Sequence, residues 1–140
     1  MVAKTTGADY TITFDGGSLG NPGKGYGSYE LRTATQKKGE VIRKEFGDRQ
    51  TNNEAEYKTL IAALEDVLSR VQQNHEDAKD FTVAVRGDSQ LVIYQATGKW
   101  KVNTPHIRPL HAEVVRLLAQ FKHADLQWHR RANSVRVLGH

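Results

Sequence analysis

Residues 10–15 have the sequence YTITFD, in which the apolar side chains of Tyr10, Ile12 and Phe14 alternate with polar ones. Alternation with a period of two residues is typical of a β-strand that buries one of its faces. Asp15 ends this strand on the polar side and is followed by two glycines. The stretch therefore predicts a core strand that presents a carboxylate at its end.

The predicted helix that follows residue 51 decides which of two glutamates points inward. We expect a cap at Thr51 or Asn52 and a helix that runs to about residue 73. Its buried stripe consists of four apolar side chains at helical spacing, Leu60, Leu64, Val67 and Val71. Glu56 lies one turn before the stripe on the same face, whereas Glu54 lies nearly opposite and is placed to pair with Lys58. Because an inward carboxylate is costly unless it is paired or bound to metal, Glu56 is the expected ligand.

A third acidic residue follows another predicted strand. Asp88 stands just beyond the nearly continuous apolar run at 81–85, which is typical of a buried strand parallel to the first one. Taken one at a time, Asp15 and Asp88 could be ordinary turn or helix-capping residues, and Glu56 could be a capping glutamate. Carboxylates that converge from element ends instead suit hard divalent cations such as Mg²⁺, which prefer oxygen ligands. Their joint placement therefore predicts a metal site suited to phosphodiester cleavage.

The rest of the chain is divided into short strands and helices. The further predicted segments are, in order, a turn-rich connection at 16–25, strands at 26–33 and 41–46, a helix at 89–96, an amphipathic helix at about 105–121, a strand at 124–128 and one or two helical turns from residue 130. Three consecutive strands with short connections indicate an antiparallel meander. We expect a single domain over residues 1–140, since this length permits one core and leaves little room for a second.

Composition narrows the class of protein. Apolar residues make up 38% of the chain, and no apolar run approaches the roughly 18 residues that suggest a membrane span. Residues 1–6 lack the hydrophobic core of a signal peptide, so we expect a cytoplasmic protein with no membrane contact. The chain has no cysteine, which excludes disulfides, thiolate nucleophiles and cysteine-based zinc sites. Any metal must therefore be held by oxygen or imidazole.

Basic residues are concentrated in the last third of the chain. Residues 96–140 contain 8 Lys and Arg against 2 Asp and Glu, whereas residues 1–95 contain 12 against 14. A basic surface gives sequence-independent, salt-sensitive affinity for phosphates, although a solvated surface without a partner fits the charge equally well. We expect this basic third to lie apart from the three carboxylates, so that a polyanion is gripped at one place and cut at another.

Four motifs follow one another along about residues 8–135. They are Phe14-Asp15-Gly16-Gly17-Ser18 with Gly20-Asn21-Pro22-Gly23, then Thr51-Asn52-Asn53 followed by Glu56, then Gly87-Asp88-Ser89-Gln90-Leu91-Val92, and finally Trp128-His129-Arg130-Arg131-Ala132-Asn133. Together they resemble type 1 ribonuclease H, especially its compact prokaryotic form. The resemblance implies an α/β fold with a five-stranded mixed sheet, three antiparallel strands and then two parallel ones, flanked by helices.

The resemblance also implies an activity and roles for individual residues. The implied activity is endonucleolytic hydrolysis of the RNA strand in RNA/DNA hybrids with Mg²⁺ or Mn²⁺, as a monomer that needs no protein partner. Two cations about 3.5–4 Å apart would activate the attacking water, so that the products are a 3′-hydroxyl and a 5′-phosphate. The matched positions are Asp15, Glu56 and Asp88 for metal, Gly16, Ser18, Asn52, Asn53 and Gln90 for the hybrid, and Asn21 and Thr51 for a DNA-strand phosphate. Arg130 is a further candidate for phosphate contact.

One departure from the family pattern lies in the last motif. Counting from Asn133 places Val137 where the family usually carries a fourth carboxylate, unless two residues are deleted before Arg136. Asn133 is the preferred substitute as a catalytic residue, with Ser134 or water as alternatives. Losing one anionic ligand should weaken metal binding and reduce activity, which would then be better with Mn²⁺. The alternative function is a weakened or inactive relative that binds hybrids or double-stranded RNA without cutting them.

Overall fold

The strand predicted from residues 10–15 lies at the centre of the sheet. The computed structural model describes residues 7–139, so the prediction that residues 1–6 carry no signal peptide lies outside the described residues. The elements are β1 (Tyr10–Leu19), β2 (Gly23–Thr33), β3 (Glu40–Gln50), α1 (Asn52–Gln73), a short 3₁₀ turn (Ala78–Asp80), β4 (Thr82–Gly87), α2 (Gln90–Ala96), α3 (Arg108–Leu118), β5 (His123–Trp128) and α4 (Arg131–Leu138).

The sheet has the topology that the sequence predicts. Its strand order is β3-β2-β1-β4-β5, with β1 antiparallel to β2, β2 antiparallel to β3, and β1, β4 and β5 mutually parallel along the sheet. The predicted five-stranded mixed sheet is therefore confirmed. β4 and β5 end at the same edge, where Gly87 of β4 pairs with Phe14, so the residues that follow β4 and β5 lie beside Asp15, which is inside the longer strand β1.

Helix α1 covers the apolar face of the central strands. Ile12 and Phe14 are fully buried in a single core cluster. The predicted helical stripe lies in the same cluster and is buried at all four positions, Leu60, Leu64, Val67 and Val71. Thr51 is the cap: its hydroxyl accepts from the Glu54 backbone N–H, and the Glu54 carboxylate accepts from the Thr51 N–H. Glu54 thus closes a capping box, and Lys58 donates to Gln50 instead of to Glu54.

The glycine-rich stretch at 16–25 is largely strand, so its prediction as a turn-rich connection was wrong. β1 continues to Leu19 and β2 starts at Gly23, with Gly16 paired to Gly27. An added Cβ on Gly16 would lie 2.8 Å from the Ala55 carbonyl oxygen, and one on Gly27 would lie 1.8 Å from the Thr59 hydroxyl oxygen. Glycine is present here because α1 lies directly on the hairpin.

Two other elements differ from prediction in length. The amphipathic helix α3 spans Arg108–Leu118 instead of 105–121. Its start is preceded by a turn in which the Ile107 N–H donates to the Thr104 carbonyl, and beyond its end the Gln120 N–H bonds only three residues back, to Leu117. β3 extends to Gln50, past the predicted end at residue 46, through irregular positions that include Gly47 at φ 84°. None of the helices within residues 7–139 is long and apolar enough to span a membrane.

Candidate active site

The three predicted carboxylates meet at the edge where the parallel strands end. Phe14 of β1 pairs with Gly87 of β4, so Asp15 and Asp88 each lie one residue past a paired position on neighbouring strands. Glu56 comes from the first turns of α1, which lies against the same end of the hairpin. One carboxylate oxygen from each of the three lies within 4.8 Å of the other two. The structure therefore brings together the three residues that the sequence predicts as metal ligands.

The three carboxylates are close together and shielded from water, which makes their negative charges unfavourable. Asp15 is 4% exposed and Glu56 is 9% exposed. Burial, followed by the charges of Asp15 and Asp88, raises the pKa of Glu56 well above its ordinary value, although a hydrogen bond from the Gly16 backbone opposes this. Among the described residues, the buried Oε2 atom of Glu56 has no hydrogen-bond partner. Three hard oxygen ligands, one of them unsatisfied, fit a divalent cation.

A cationic side chain also reaches the cluster. Arg131 Nη1 lies 3.3 Å from Asp88 Oδ2 and 3.8 Å from Asp15 Oδ2. The expectation that the basic third would lie apart from the carboxylates was therefore wrong. Gly87 pairs with Trp128 of β5, and α4 starts three residues later, so its first residue falls beside Asp88. A count of charges along the chain could not predict this contact, because it does not show which strand ends are neighbours in the sheet.

The position of the missing fourth carboxylate lies on α4. Ser134 is fully buried, and its hydroxyl is 2.7 Å from Nε2 of His129, so it already has a hydrogen-bond partner. Val137 and Asn133 are both half-buried on the same helix. Asn133 stays the preferred substitute from the sequence, since the Ser134 hydroxyl is already engaged with His129. Its role as a ligand stays a prediction.

Three of the residues predicted to contact a hybrid, Ser18, Asn21 and Asn52, are connected by hydrogen bonds. The Asn52 side-chain oxygen accepts from both the backbone N–H and the hydroxyl of Ser18, at 2.9 and 3.0 Å. The Asn52 backbone N–H in turn donates to Asn21 Oδ1 at 3.0 Å. These bonds join the β1–β2 hairpin to the start of α1. Gln90 is the first residue of α2, after the capping residue Ser89. Arg130 is at the N-cap position of α4, makes no side-chain capping hydrogen bond and is exposed.

A polar cavity of about 400 Å³ lies beside this junction. The two residues predicted to hold a phosphate, Asn21 and Thr51, line it together with Asn52 and Asn53. Thr104 and His106 also line it, and neither stands in a motif of the sequence. Only the packing of the segment before α3 brings these two here, and no local pattern in the sequence signals it.

Substitution of Gly16 should damage the site through the backbone of α1. In Gly16→Ala the new methyl group would press on the Ala55 carbonyl, directly before Glu56. We expect a loss of about 1–3 kcal/mol in the free energy of unfolding, because backbone cannot yield as a side chain can. Displacement of Glu56 should also lower any metal-dependent activity by about 10²-fold. Urea denaturation and a cleavage assay would measure the two effects.

Gly17→Ala is the matched control for stability. Its added methyl group would meet only the end of the Tyr26 side chain, which is 42% exposed and can move. We expect its free energy of unfolding to stay within about 0.5 kcal/mol of the unsubstituted protein. Equal destabilisation of the two variants would show that close packing of α1 on Gly16 is not what positions Glu56.

Comparison with known proteins places this geometry in context. The family model described as "Reverse transcriptase-like" matches residues 14–137. The bifunctional protein Rv2228c of Mycobacterium tuberculosis is 39% identical over 124 residues, which cover 88% of this chain and 32% of that protein. Ribonuclease HI of Halobacterium salinarum is 40% identical over 114 residues, covering 77% of this chain and 50% of that protein. The chain thus spans only a third to a half of these curated relatives.

Solved structures are similar over nearly the whole chain. The N-terminal RNase H domain of Rv2228c superposes with a TM-score of 0.80 at 34% identity, covering 93% of this chain and 88% of that one. LC11-RNase H1 in complex with an RNA/DNA hybrid gives a TM-score of 0.80 at 27% identity, covering 91% and 90%. RNase H1 of Halobacterium salinarum gives 0.74 at 34% identity, covering 91% and 90%.

Proposed function

We propose that this chain, which belongs to the reverse transcriptase-like family of ribonuclease H domains, hydrolyses the RNA strand of RNA/DNA hybrids with the help of divalent cations. The observation that carries this proposal is the convergence of Asp15, Glu56 and Asp88 within 4.8 Å, with one buried oxygen of Glu56 unsatisfied. Such a cluster is unfavourable unless a cation neutralises it, and it needs no Cys, Ser or Lys nucleophile.

The roles of the chain's own residues follow from where they lie. Asp15, Glu56 and Asp88 would hold Mg²⁺ or Mn²⁺, with two ions expected once substrate is bound. When bound, these cations supply a Lewis acid that makes water a nucleophile at neutral pH and neutralises the charge of the phosphate. The hydrogen bond from the Gly16 backbone holds the Glu56 carboxylate toward the other two. The buried position of the cluster strengthens each of these interactions.

Recognition of the hybrid would use the junction between the hairpin and α1. Asn52, fixed by Ser18, and the neighbouring Asn53 present polar groups that can reach base edges and sugars in a shallow minor groove. Asn21 and Thr51 line a polar cavity of about 400 Å³ that suits a phosphate of the DNA strand. Contacts with 2′-hydroxyls would distinguish RNA from DNA, so little sequence preference is expected.

A second candidate function is hybrid or double-stranded RNA binding without cleavage. Two features favour it. The last helix lacks the fourth carboxylate that the family usually carries, whether the matching position is Val137 or is shifted by a two-residue deletion before Arg136. Arg131 also forms ion pairs with two of the three remaining carboxylates. The three retained carboxylates favour the enzyme.

A cleavage assay separates the two functions. A labelled RNA/DNA hybrid is incubated with the protein in Mg²⁺ and in Mn²⁺, beside the variant Asp15→Asn. We expect cleavage by the unsubstituted protein only, faster with Mn²⁺, and products with 3′-hydroxyl and 5′-phosphate ends. Binding without cleavage in both metals would favour the second function. Cyclic phosphate ends would contradict hydrolysis by water, because they arise from attack by the RNA 2′-oxygen.

A further inference from the structure

Arg131 covers the open side of the three carboxylates. The same nitrogen, Nη1, lies 3.3 Å from Asp88 Oδ2 and 3.8 Å from Asp15 Oδ2. The Asp15 and Asp88 side chains are only 6% and 8% exposed, whereas the Arg131 side chain is 69% exposed. A largely solvated cation therefore lies against two buried carboxylates. The bridge uses this one nitrogen and leaves the other donors of the guanidinium away from the two carboxylates.

The backbone around Arg131 is anchored, whereas its side chain is 69% exposed and contacts only Asp15 and Asp88 among the ion pairs that the described residues form. The His129 backbone N–H donates to the Gly87 carbonyl, and the Trp128 indole N–H donates to the Asp88 carbonyl at 3.0 Å. His129 also contacts the buried Ser134 hydroxyl at 2.7 Å, which fixes the first turn of α4. The start of α4 is thus attached to the end of β4 that carries Asp88. The guanidinium can leave the carboxylates by rotation of its own side chain.

A divalent cation held by these carboxylates would compete with Arg131 for two reasons. Oδ2 of Asp15 and Oδ2 of Asp88 both face the guanidinium, so these atoms are less available as ligands while Arg131 is in place. A fixed positive charge at this distance also repels a second cation. Because the guanidinium is mostly exposed, its hold is weak enough to be displaced.

We propose that Arg131 is an internal counter-ion, a positioning residue that bridges Asp15 and Asp88 in the metal-free protein and withdraws when divalent cations bind. This inference rests on the proposed function, since it requires that the three carboxylates hold cations. Because the metal must first displace Arg131, the site fills only at a higher cation concentration than the three carboxylates alone would require.

Calorimetric titration with Mn²⁺ alone, without nucleic acid, tests the inference. Arg131→Gln should bind Mn²⁺ roughly threefold to tenfold more tightly than the unsubstituted protein, since the competing charge is removed. Arg136→Gln is the matched control: it removes one positive charge from an exposed position on the same helix and should stay within about twofold of the unsubstituted protein. Unchanged or weaker binding by Arg131→Gln would overturn the proposal.

Thermal unfolding gives a second readout that does not depend on activity. In EDTA, Arg131→Gln should unfold about 2–4 °C below the unsubstituted protein, because Asp15 and Asp88 lose their counter-ion. Saturating Mn²⁺ should abolish this difference. A difference that persists at saturating Mn²⁺ would make Arg131 a structural residue and overturn the proposal.

Failure of the inference can be distinguished from failure of the proposed function. If the unsubstituted protein binds Mn²⁺ and Arg131→Gln binds it equally well, only the counter-ion role fails. If the unsubstituted protein and Arg131→Gln both bind no Mn²⁺, the proposed function fails and the inference fails with it. Arg131→Lys, which keeps the charge but loses the planar fork, should bind Mn²⁺ with an affinity between those of the unsubstituted protein and Arg131→Gln.

Discussion

Glu56→Gln should lower the cleavage of an RNA/DNA hybrid by at least about 10³-fold while leaving the protein folded. Glutamine has the shape of glutamate but lacks the negative charge, so the cluster would keep two carboxylates in place of three. Burial and the charges of Asp15 and Asp88 raise the pKa of Glu56, so this side chain interacts closely with the other two. A single-turnover assay with saturating Mn²⁺ would measure the loss.

Glu54→Gln is the matched control for this variant. It removes the same charge from the same helix, two residues away, where Glu54 closes the capping box with Thr51 and glutamine can do the same. We expect its cleavage rate to stay within about twofold, because Glu54 lies outside the cluster. Equal losses in the two variants would mean that general charge, and not the position of Glu56, is responsible.

The contribution of Glu56 to the stability of the metal-free protein should fall as the pH rises from acid to neutral. The folded pKa of Glu56 is raised above the ordinary value of 4.5, so the folded state holds a proton that the unfolded state has released. The stabilising contribution of this proton is complete below about pH 4.5 and is lost as the pH rises through the raised folded pKa. The slope from this group is at most about 1.4 kcal/mol per pH unit.

Urea denaturation in EDTA at several pH values between 4.5 and 8 would measure this effect. Other carboxylates act in the opposite direction, since the Arg70 hydrogen bond lowers the pKa of Asp66 against the effect of its burial. The difference between the unsubstituted protein and Glu56→Gln isolates the contribution of Glu56. We expect Glu56→Gln to be the more stable of the two at neutral pH without metal, and saturating Mn²⁺ to remove or reverse that advantage. Parallel pH profiles in EDTA would contradict the raised pKa.

The elements that the sequence predicted well are those whose patterns are local. The alternation around Ile12 and Phe14 predicted β1, and the helical stripe from Leu60 to Val71 predicted both the length of α1 and the inward direction of Glu56. The helical pattern works because burial on one face imposes a period of about 3.6 residues. The strand was predicted correctly although β1 is buried on both faces, since Thr11, Thr13 and Asp15 are buried as well. Asp15, Glu56 and Asp88 could be nominated for the same reason, since each stands at the end of such a pattern.

The features that escaped prediction depend on contacts between distant segments. Glycines at 16–25 suggested turns, but Gly16 and Gly27 are small because α1 packs on them, which only the folded arrangement reveals. Arg131 lies beside Asp88 because β5, which precedes α4, ends next to the end of β4. His106 lines the cavity beside Thr51 although the two are far apart in sequence. No local sequence pattern predicts these contacts between distant segments.

Diffraction at the manganese absorption edge tests the central claim most directly. Crystals of the protein equilibrated with saturating Mn²⁺ should give an anomalous peak about 2–2.4 Å from carboxylate oxygens of Asp15, Glu56 and Asp88. The Arg131 guanidinium should have moved away from Asp15 and Asp88 in the same crystals. Absence of any peak at these carboxylates under saturating Mn²⁺, with Arg131 still bridging them, would contradict the account.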